Sequence, residues 1–479
     1  MAAIITEKFR THSAKQFIED FGESASSTYM FIGRSYPWTD DTSPPSPANS
    51  TGEEYDAYSD MVALKKVSSA DVTHAISREN WTSGTTYDEY DHTISTSTTS
   101  SGTSATNLYD SKYYVITDEF HVYKCIRTGR DSNGDTVAST VKPTGTSATL
   151  LVETADTGAQ SGRGYIWKYM YTVSAADTIK FVTTDFIPVK TIGAQTELGG
   201  TADDGSSQWD VENNAIDGGI LHVKVTNGGA GYTHNASGYT SVAIDGDGSS
   251  GACTVHTKSD GTISHITVTN NGTGYKRASI DIDGITGIGT PTTSAVVVPI
   301  ISPLYGHGAN PVEELGGNFV MVNSRLEFAE GSGDFPTDND FRRIGLIQDP
   351  FSSGTTIATG TNYGAYHKMT LSSVTGLSVD DVIKDASSDG SGVAVSRIVS
   401  ITGNVISHIP QANSAGGYAD FSASDTVYKG ASSIGTVSSV DATFPEIVKY
   451  SGNIMYIENR GAVTRAADQI EDIKLIIQM

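Results

Sequence analysis

Two short acidic runs contain the residue types that could bind calcium, since Ca²⁺ is held by carboxylate and carbonyl oxygens. The first run is DSNGD at Asp131–Asp135, and the second is DGDG at Asp245–Gly248. A calcium loop needs an acidic bidentate ligand at its twelfth position, where the first run has Lys142 and the second has His256. Asp-Gly pairs are common in hairpin turns, so we interpret both runs as turns.

Two glycine-rich motifs, GGAGY at Gly228 and NGTGY at Asn271, could cradle a phosphate only if a helix N-terminus followed them. Strand-like sequence follows both motifs, so we interpret them as turns as well. His307 lies near Glu313 and Glu314 in the sequence and could form a metal site with them. A closed site needs about four ligands, and no second histidine is near. We therefore favour a turn or interface role for His307.

The chain has no Walker-type lysine loop, no GxSxG elbow and no HExxH pair, which are the usual anchors of nucleotidases and hydrolases. Glycoside cleavage would need two carboxylates at a defined separation in space, and a sequence with 55 acidic residues does not reveal which two. We predict a protein that is not an enzyme. It should have no catalytic, cofactor-binding or metal-binding residue and no small-molecule substrate.

The charge of the chain restricts its partners. It has 31 basic and 55 acidic residues, a net charge of −24, which repels phosphate backbones and anionic membrane surfaces. The most apolar run, Ala295–Ile301, is broken by Pro299 and is far shorter than a membrane helix. No secretion signal is evident, and the only cysteines, Cys125 and Cys253, suit reduced packing residues. We predict no nucleic-acid partner and no membrane insertion.

The elements that position these residues are predicted to be mainly strands. The chain has 50 glycines and only 18% charged residues, a composition typical of short strands joined by turns. Apolar spacing predicts helices at Ser13–Phe21 and around Ser59–Lys66, and strands in Tyr29–Trp38, Lys112–Ile126 and Gly164–Val173. We predict a mainly β fold of α+β type with few short helices, in which a multi-domain, β-sandwich-like core carries two inserted small β domains.

An internal repeat lies within the first inserted region. ILHVKVTNGGAGY at Ile220–Tyr232 recurs as ISHITVTNNGTGY at Ile263–Tyr275, with eight of thirteen positions identical at an offset of 43 residues. Each copy predicts a strand, a glycine-rich turn and a second strand. Neither copy alone could bury its apolar face, so we expect the two to pack together as one small β module.

Changes in residue composition and pattern along the sequence divide the chain into five segments. We expect an N-terminal core part at 1–192, the inserted module with the repeat at 193–300, a core continuation at 301–351, a second inserted β module at 352–443, and C-terminal core strands at 444–479. The chain closes on a strand whose Ile473, Leu475 and Ile477 alternate to one face.

Segments near both ends resemble a known family. ITEKFRTHSAKQF at Ile5 and FIGRSYPW at Phe31 are similar to the opening of the baseplate wedge subunit of T-even-like contractile-tailed phages, the gene product eight family. The similarity continues, in order and rough spacing, through DVTHAISRENW, VYKC, GYIWKYMYTV, FRRIGLI, YSGNIMYIENR and the closing ADQIEDIKLII. It covers about residues 1–190, a segment near 340, and 450–479, and it omits the two inserted modules.

The resemblance implies a structural subunit in the virion, at the tail baseplate, made and assembled in the host bacterial cytoplasm. It implies a homodimer that bridges other baseplate wedge proteins and transmits the rearrangement of the baseplate during contraction. Aromatic and arginine side chains are favoured anchors for such contacts. The candidate assembly-contact residues are Arg34, Tyr36, Trp38, Trp81 and Arg460. The alternative for each is a place in the core or turns of its own subunit.

A different class of function stays open. The acidic pairs and tyrosines could line a sugar-binding groove, as in a glycan-binding or glycan-cleaving tail fibre or tailspike-type adhesin. Such a protein would more often be a trimer with an elongated, repetitive β-helix. Two repeats are too few for that architecture, so we rank the adhesin second.

Overall fold

A computed structural model describes residues 3–153, 163–327, 335–466 and 469–479. Strands make up 36% of the described residues and helices 11%, so the fold is mainly β, as predicted. The chain divides into two compact units, each assembled from segments that are far apart in sequence. The first unit comprises Met1–Lys15, Thr73–Met321 and Ile477–Met479, and the second comprises Gln16–Val72 and Val322–Ile476.

The helices are short, and none in the described part of the chain is long and apolar enough to cross a membrane. The α-helices of these residues are α1 (Glu7–Asp20), α2 (Thr51–Asp60), α3 (Ala175–Phe181), α4 (Ser207–Asn213) and α5 (Pro311–Glu314), with 3₁₀ turns at Ser69–Asp71, Leu108–Asp110 and Thr196–Leu198. Serine residues are the N-caps of α2, α3 and α4. The side chains of Ser50, Ser174 and Ser206 each accept a hydrogen bond from a backbone N–H of the first turn.

Fifteen strands occupy the described residues before β16. They are β1 (Thr28–Gly33), β2 (Met61–Lys66), β3 (Val72–Ser77), β4 (Tyr114–Ile116), β5 (His121–Arg127), β6 (Leu151–Val152), β7 (Ile166–Thr172), β8 (Phe186–Val189), β9 (Val223–Asn227), β10 (Tyr239–Ala243), β11 (Asp245–Gly246), β12 (Ala252–Thr257), β13 (Ile263–Asn270), β14 (Ala278–Ser279) and β15 (Val296–Pro299).

The described remainder of the chain adds thirteen strands. They are β16 (Phe319–Leu326), β17 (Asn339–Gln348), β18 (Phe351–Ser353), β19 (Thr356–Ile357), β20 (Asn362–Gly364), β21 (His367–Leu371), β22 (Val382–Lys384), β23 (Val395–Thr402), β24 (Val405–Gln411), β25 (Thr426–Lys429), β26 (Ser432–Val440), β27 (Asn453–Arg465) and β28 (Glu471–Gln478). Ile473 and Leu475 of β28 are buried, while Asp472 before them is exposed and Lys474 between them is half-buried, as the alternation predicted.

One of the two predicted helices is wrong. The helix expected at Ser13–Phe21 exists but begins earlier, since α1 starts at Glu7. The helix expected around Ser59–Lys66 is instead the end of α2 followed by β2. Strand β2 lies between β20 and β1 in a sheet, and its first four residues are all buried. Pairing with strands distant in sequence overrides the local helical pattern there.

The first unit contains an antiparallel sheet in the order β4-β5-β7-β6. Both faces of this sheet are covered, since Trp167 and Tyr169 of β7 pack in one hydrophobic cluster and Met170 packs in another. Burial on both faces explains why β5 and β7 are apolar and aromatic almost without interruption. Cys125 of β5 is free and buried, and Cys253 of β12 is likewise free and buried, as expected of packing residues.

The two repeat copies form one module, and their strands are interleaved. The first strand of each copy pairs with the last strand of the other: β9 pairs antiparallel with β15, and β13 pairs antiparallel with β12. A single hydrophobic cluster contains side chains from both copies, among them Val223, Ile266 and Ile288. The prediction that the copies pack together is confirmed, and the pairing explains why neither can close its sheet alone.

The glycine-rich motifs are turns that occupy equivalent places in the two copies. Gly229 and Gly272, and likewise Gly231 and Gly274, have φ angles between 60° and 88°, a region that favours glycine. Each motif ends in a tyrosine, Tyr232 or Tyr275. Both tyrosine hydroxyls accept a backbone N–H: from Ala295 at 2.7 Å for Tyr232 and from Gly251 at 3.1 Å for Tyr275.

We expect Tyr275→Phe to destabilise the first unit by about 1–3 kcal/mol, because two buried backbone groups lose their partner. The Tyr275 hydroxyl donates to the carbonyl of Ile244 at 2.7 Å and accepts from Gly251, and the ring is 1% exposed. Urea unfolding followed by circular dichroism measures the change. Tyr239→Phe is the control in the same module, since its hydroxyl bonds lie in an exposed setting where water can replace them. Equal losses for the two variants would contradict the expectation.

The second unit contains an antiparallel sheet in the order β20-β2-β1-β17-β27 and a closed six-stranded barrel. In the sheet, Phe31 of β1 lies opposite Gly345 of β17, and the ring of Phe31 takes the space that a side chain at Gly345 would need. The barrel runs in the order β21-β24-β23-β22-β25-β26 around its own apolar core, which includes Ile383, Ile398 and Val427.

Candidate assembly surface

Four of the five candidate contact residues converge in the second unit. Arg34 follows β1 with φ 55°, and its guanidinium carbon lies 3.9 Å from the ring centroid of Tyr36 and 3.5 Å from that of Trp38. The indole N–H of Trp38 donates to the backbone carbonyl of Arg460 at 3.0 Å. Arg34 is therefore held between two aromatic rings, an arrangement that stabilises a cation over π faces. We call Arg34, Tyr36, Trp38 and Arg460 the arginine–aromatic cluster.

A buried carboxylate, that of Asp60, contacts both Tyr36 and Arg34 of this cluster. Asp60 is 6% exposed and accepts a hydrogen bond from the Tyr36 hydroxyl at 2.9 Å. Its other oxygen lies 3.3 Å from the guanidinium of Arg343 and 3.6 Å from that of Arg34. Burial raises the pKa of the Asp60 carboxyl, and the two arginines oppose that shift. Arg343 also contacts Glu53 at 2.5 Å, so the charges beneath the cluster are paired.

Arg342 stabilises the loop that follows Trp38. Arg342 makes two hydrogen bonds of 3.0 Å to the carboxylate of Asp41 and one to Asp340 at 3.0 Å. Asp41 in turn accepts the backbone N–H of Trp38 at 2.8 Å. The Arg342 guanidinium holds the pKa of the Asp41 carboxyl below its usual range. These contacts give Trp38 one orientation, with part of its ring facing solvent.

Trp81 lies in the first unit and is not part of this cluster. Its indole N–H donates to the hydroxyl of Ser139 at 3.1 Å, and its ring packs against the cluster that contains Tyr87 and Trp167. These contacts serve the core of its own unit.

An exposed aromatic patch in the second unit was missed by the sequence reasoning. Tyr55 and Tyr450 are 55% and 51% exposed, and each has its ring centroid 5.8–6.4 Å from that of Tyr58. Tyr450 has φ 63°, an uncommon conformation for a tyrosine. Tyr55 and Tyr58 are three residues apart on α2, so their shared face was readable from the sequence. The contribution of Tyr450, almost 400 residues later, was not.

His307 takes part in a buried ion network in the first unit. The ammonium group of Lys124 lies 2.9 Å from Nδ1 of His307, 2.8 Å from the carboxylate of Glu314 and 3.8 Å from the ring centroid of Tyr90. Burial lowers the pKa of both Lys124 and His307. Across residues 3–153, 163–327, 335–466 and 469–479, no group of three or more His, Cys, Asp or Glu side chains could hold a metal ion.

The first acidic run is a turn, as interpreted from the sequence, but the interpretation of the second is wrong, because Asp245 and Gly246 form strand β11 and pair antiparallel with β14. Asp131 accepts the backbone N–H groups of Asn133 and Asp135 at 2.8 and 3.0 Å. Asp247 accepts those of Lys276 and Arg277 at 2.8 and 2.9 Å. The Asp131 carboxylate therefore stabilises its own turn, the usual role of aspartate there. The Asp247 carboxylate instead fixes backbone that lies about 30 residues later in the chain.

Three of the segments that carried the family resemblance lie in one sheet. FIGRSYPW begins in β1, FRRIGLI lies in β17, and YSGNIMYIENR runs into β27. Strand β17 pairs antiparallel with both β1 and β27, so three segments distant in sequence are adjacent in space. The protein is therefore mainly β, and the contacts of its arginine–aromatic cluster join segments of the same chain.

Comparison with known families agrees with the resemblance. Residues 3–151 match the family model Phage-Gp8, described as bacteriophage T4 Gp8. This segment, which includes Arg34, Tyr36, Trp38 and Trp81, is similar to the gene product eight family, as the sequence motifs indicated. No curated protein matches the chain.

Proposed function

We propose that the protein is a structural subunit of a phage tail baseplate wedge. The observation that carries this proposal is the match of residues 3–151 to the Phage-Gp8 family, which supports a structural role in the wedge. The finer parts of the proposal are a homodimer, bridging contacts to neighbouring wedge proteins, and transmission of the baseplate rearrangement during tail contraction. The place of action is the virion tail, after assembly in the host cytoplasm.

The proposal includes no catalytic step. The residues that could do chemistry are engaged in other ways. Asp131 stabilises a turn, and Asp247 accepts the backbone N–H of Lys276. His307 and Glu314 are buried around Lys124. A wedge subunit needs preformed surfaces, because a rigid surface loses less conformational entropy when it binds. Interlocked contacts such as those around Arg34 supply that rigidity.

We place the assembly contacts of the second unit at the arginine–aromatic cluster and the patch of Tyr55, Tyr58 and Tyr450. Tyrosine, tryptophan and arginine contribute most to binding energy when they are held in position before binding. The guanidinium of Arg460 remains 39% exposed and contacts Glu458 at 3.5 Å, so it is available at the surface. Its backbone carbonyl, which Trp38 uses, does not depend on the side chain.

We expect light scattering after size-exclusion chromatography to give a dimer, and Arg460→Ala to weaken that dimer about tenfold, equivalent to about 1.4 kcal/mol. The reason is that Arg460→Ala removes an exposed guanidinium while leaving the acceptor for Trp38 in place. Sedimentation velocity over a concentration series measures the dissociation constant.

Arg325→Ala is the matched control, since Arg325 is 42% exposed in the same unit and pairs with Asp472 at 2.8 Å. If both variants dimerise with the affinity of the wild type, Arg460 does not contribute to the dimer interface. A monomeric wild-type protein would contradict the homodimer, and a stable trimer that binds saccharides would favour the tail-fibre adhesin.

A further inference from the structure

A cavity of about 650 Å³ in the first unit is lined by cations, although the chain as a whole has a net charge of −24. The five basic side chains around it are Arg127, Arg130, Arg163, Lys224 and Lys258. One wall comes from the end of β5 and the segments that follow it. The opposite wall comes from β9 and β13, the first strands of the two repeat copies.

The acids near this cavity do not balance its cations. Glu89 pairs with Arg130 at 3.0 Å, and both Glu89 and Asp91 contact Lys224, at 3.8 and 2.8 Å. Asp131 adds a third negative charge in the neighbourhood of Arg163, and Asp260 adds a fourth near Lys258. Among the described residues, four carboxylates therefore lie near five basic side chains, and the cavity keeps an excess of positive charge.

Two buried guanidinium groups have no carboxylate within ion-pair distance among the described residues, since Glu89 acts on Arg127, and Asp131 on Arg163, only from farther away. Arg127 is 7% exposed and donates to the carbonyl of Gly164 at 3.1 and 2.6 Å. Arg163 is 4% exposed and donates to the carbonyl of Asp131 and the hydroxyl of Ser264. Every acceptor in this set is neutral. Burial of a charge without a counter-charge is costly, so these two arginines point to an anion that balances them.

Unpartnered nitrogen atoms in the cavity wall point the same way. His222 is 7% exposed and lines the cavity, and its Nε2 has no hydrogen-bond partner among the residues that the structure describes. The same holds for Nε of Arg163 within those residues. The nearest acid to His222, Glu89, lies 3.6 Å away. Burial, together with Arg127 and Arg130, lowers the pKa of His222 well below its usual value. Buried polar atoms are nearly always satisfied, and an oxygen-rich anion in the cavity would supply the missing acceptors.

We propose that this cavity binds a small oxyanion with at least two negative charges, of phosphate or polycarboxylate chemistry. Arg127 and Arg163 contact its oxygens, since the planar guanidinium matches the geometry of both groups. Lys224 and Lys258 hold it from the side of the repeat module. The anion cross-links the module to the sheet that contains β5 and so stabilises the first unit. The proposal does not depend on the protein's place in a baseplate.

Titration calorimetry of the full chain with sodium pyrophosphate and with citrate, at constant ionic strength, tests the proposal. We expect one saturable site per chain and a rise in the unfolding temperature that saturates with the same ligand. Tighter binding of pyrophosphate would identify phosphate chemistry, and tighter binding of citrate would identify carboxylate chemistry. Chloride at equal ionic strength should produce neither effect.

Arg163→Gln should weaken binding at least tenfold, and Lys258→Gln, at the partly exposed side of the cavity, should weaken it several-fold. Lys276→Gln is the control in the same module, since Lys276 lies outside the cavity and pairs with Asp217 at 2.7 Å. If Arg163→Gln fails to fold, Lys258→Gln and the titration of the wild-type protein still test whether the cavity binds the anion. No saturable binding of either anion at millimolar concentration, or binding by both variants as tight as wild type, would overturn the proposal.

Discussion

Lys124→Met is expected to lower the free energy of unfolding of the first unit by about 3–5 kcal/mol, because it leaves a buried carboxylate without its counter-charge. Lys124 and Glu314 have side chains 0% and 1% exposed, and their charged atoms lie 2.8 Å apart. Methionine is close to lysine in length and packs against apolar surroundings, so little of the loss would come from an empty cavity. Guanidinium unfolding followed by circular dichroism measures the difference.

Lys142→Met is the matched control for this prediction. Its ammonium group also contacts carboxylates, those of Asp118 and Glu119, both at 2.6 Å, but all three side chains are accessible to solvent. Exposed ion pairs contribute little, so the control should unfold like the wild type. The double variant Lys124→Met/Glu314→Gln should recover part of the loss, since it removes the stranded charge. A Lys124→Met protein as stable as the control would refute the argument from burial.

Gly345→Ala is expected to destabilise the second unit by about 3 kcal/mol, the upper part of the range for overpacking a filled interior. A methyl group at Gly345 would overlap the backbone carbonyl of Tyr456 and the ring of Phe31. The carbonyl cannot move without breaking the pairing of β17 with β27, and the ring is fully buried. Thermal unfolding monitored by tryptophan fluorescence, with Trp38 in the same unit, reports the change.

Gly390→Ala separates this steric effect from the general effect of replacing glycine. Gly390 lies in the loop between β22 and β23 of the same unit and has an ordinary φ angle. No atom lies within 4 Å of the place where a methyl group would stand. The control should be neutral or slightly stabilising, because alanine restricts the unfolded chain. Similar destabilisation in both variants would show that the space around Gly345 can expand.

Local patterns predicted much of the fold. The mainly β class, the N-terminal helix, the closing strand and the shared core of the repeat copies all follow from side-chain spacing and turn chemistry. The same reasoning identified the run at Asp131 as a turn, whereas the run at Asp245 begins as strand β11, because it pairs with β14 more than 30 residues later. These features have in common that their causes lie within a few tens of residues.

Features with distant causes were not predictable. Strand β2 was predicted as a helix, since its partners β1 and β20 are not near it in sequence. The interleaved pairing of the repeat copies could not be read from two segments so alike, because either could pair with itself. The contact of Lys124 with Glu314 spans 190 residues, and no local pattern marks it.

The candidate assembly residues show the same division. Arg34, Tyr36 and Trp38 lie within five residues of each other, so their proximity was expected from the sequence. Arg460 joins them only through its backbone carbonyl, which no side-chain pattern predicts. The cationic cavity was invisible for a related reason, since its arginines and lysines are scattered through a predominantly acidic chain.

The interleaved pairing of the module determines the order in which its strands can pair during translation. The nascent chain can close the hairpin of β12 and β13 once Asn270 has emerged. Strand β9, made earlier, must wait until Pro299 has left the exit tunnel, since β15 is its partner. During that interval the oldest strand of the module keeps an open edge, the kind of edge that invites pairing with another chain. Rapid translation between Asn270 and Pro299 would shorten the exposure.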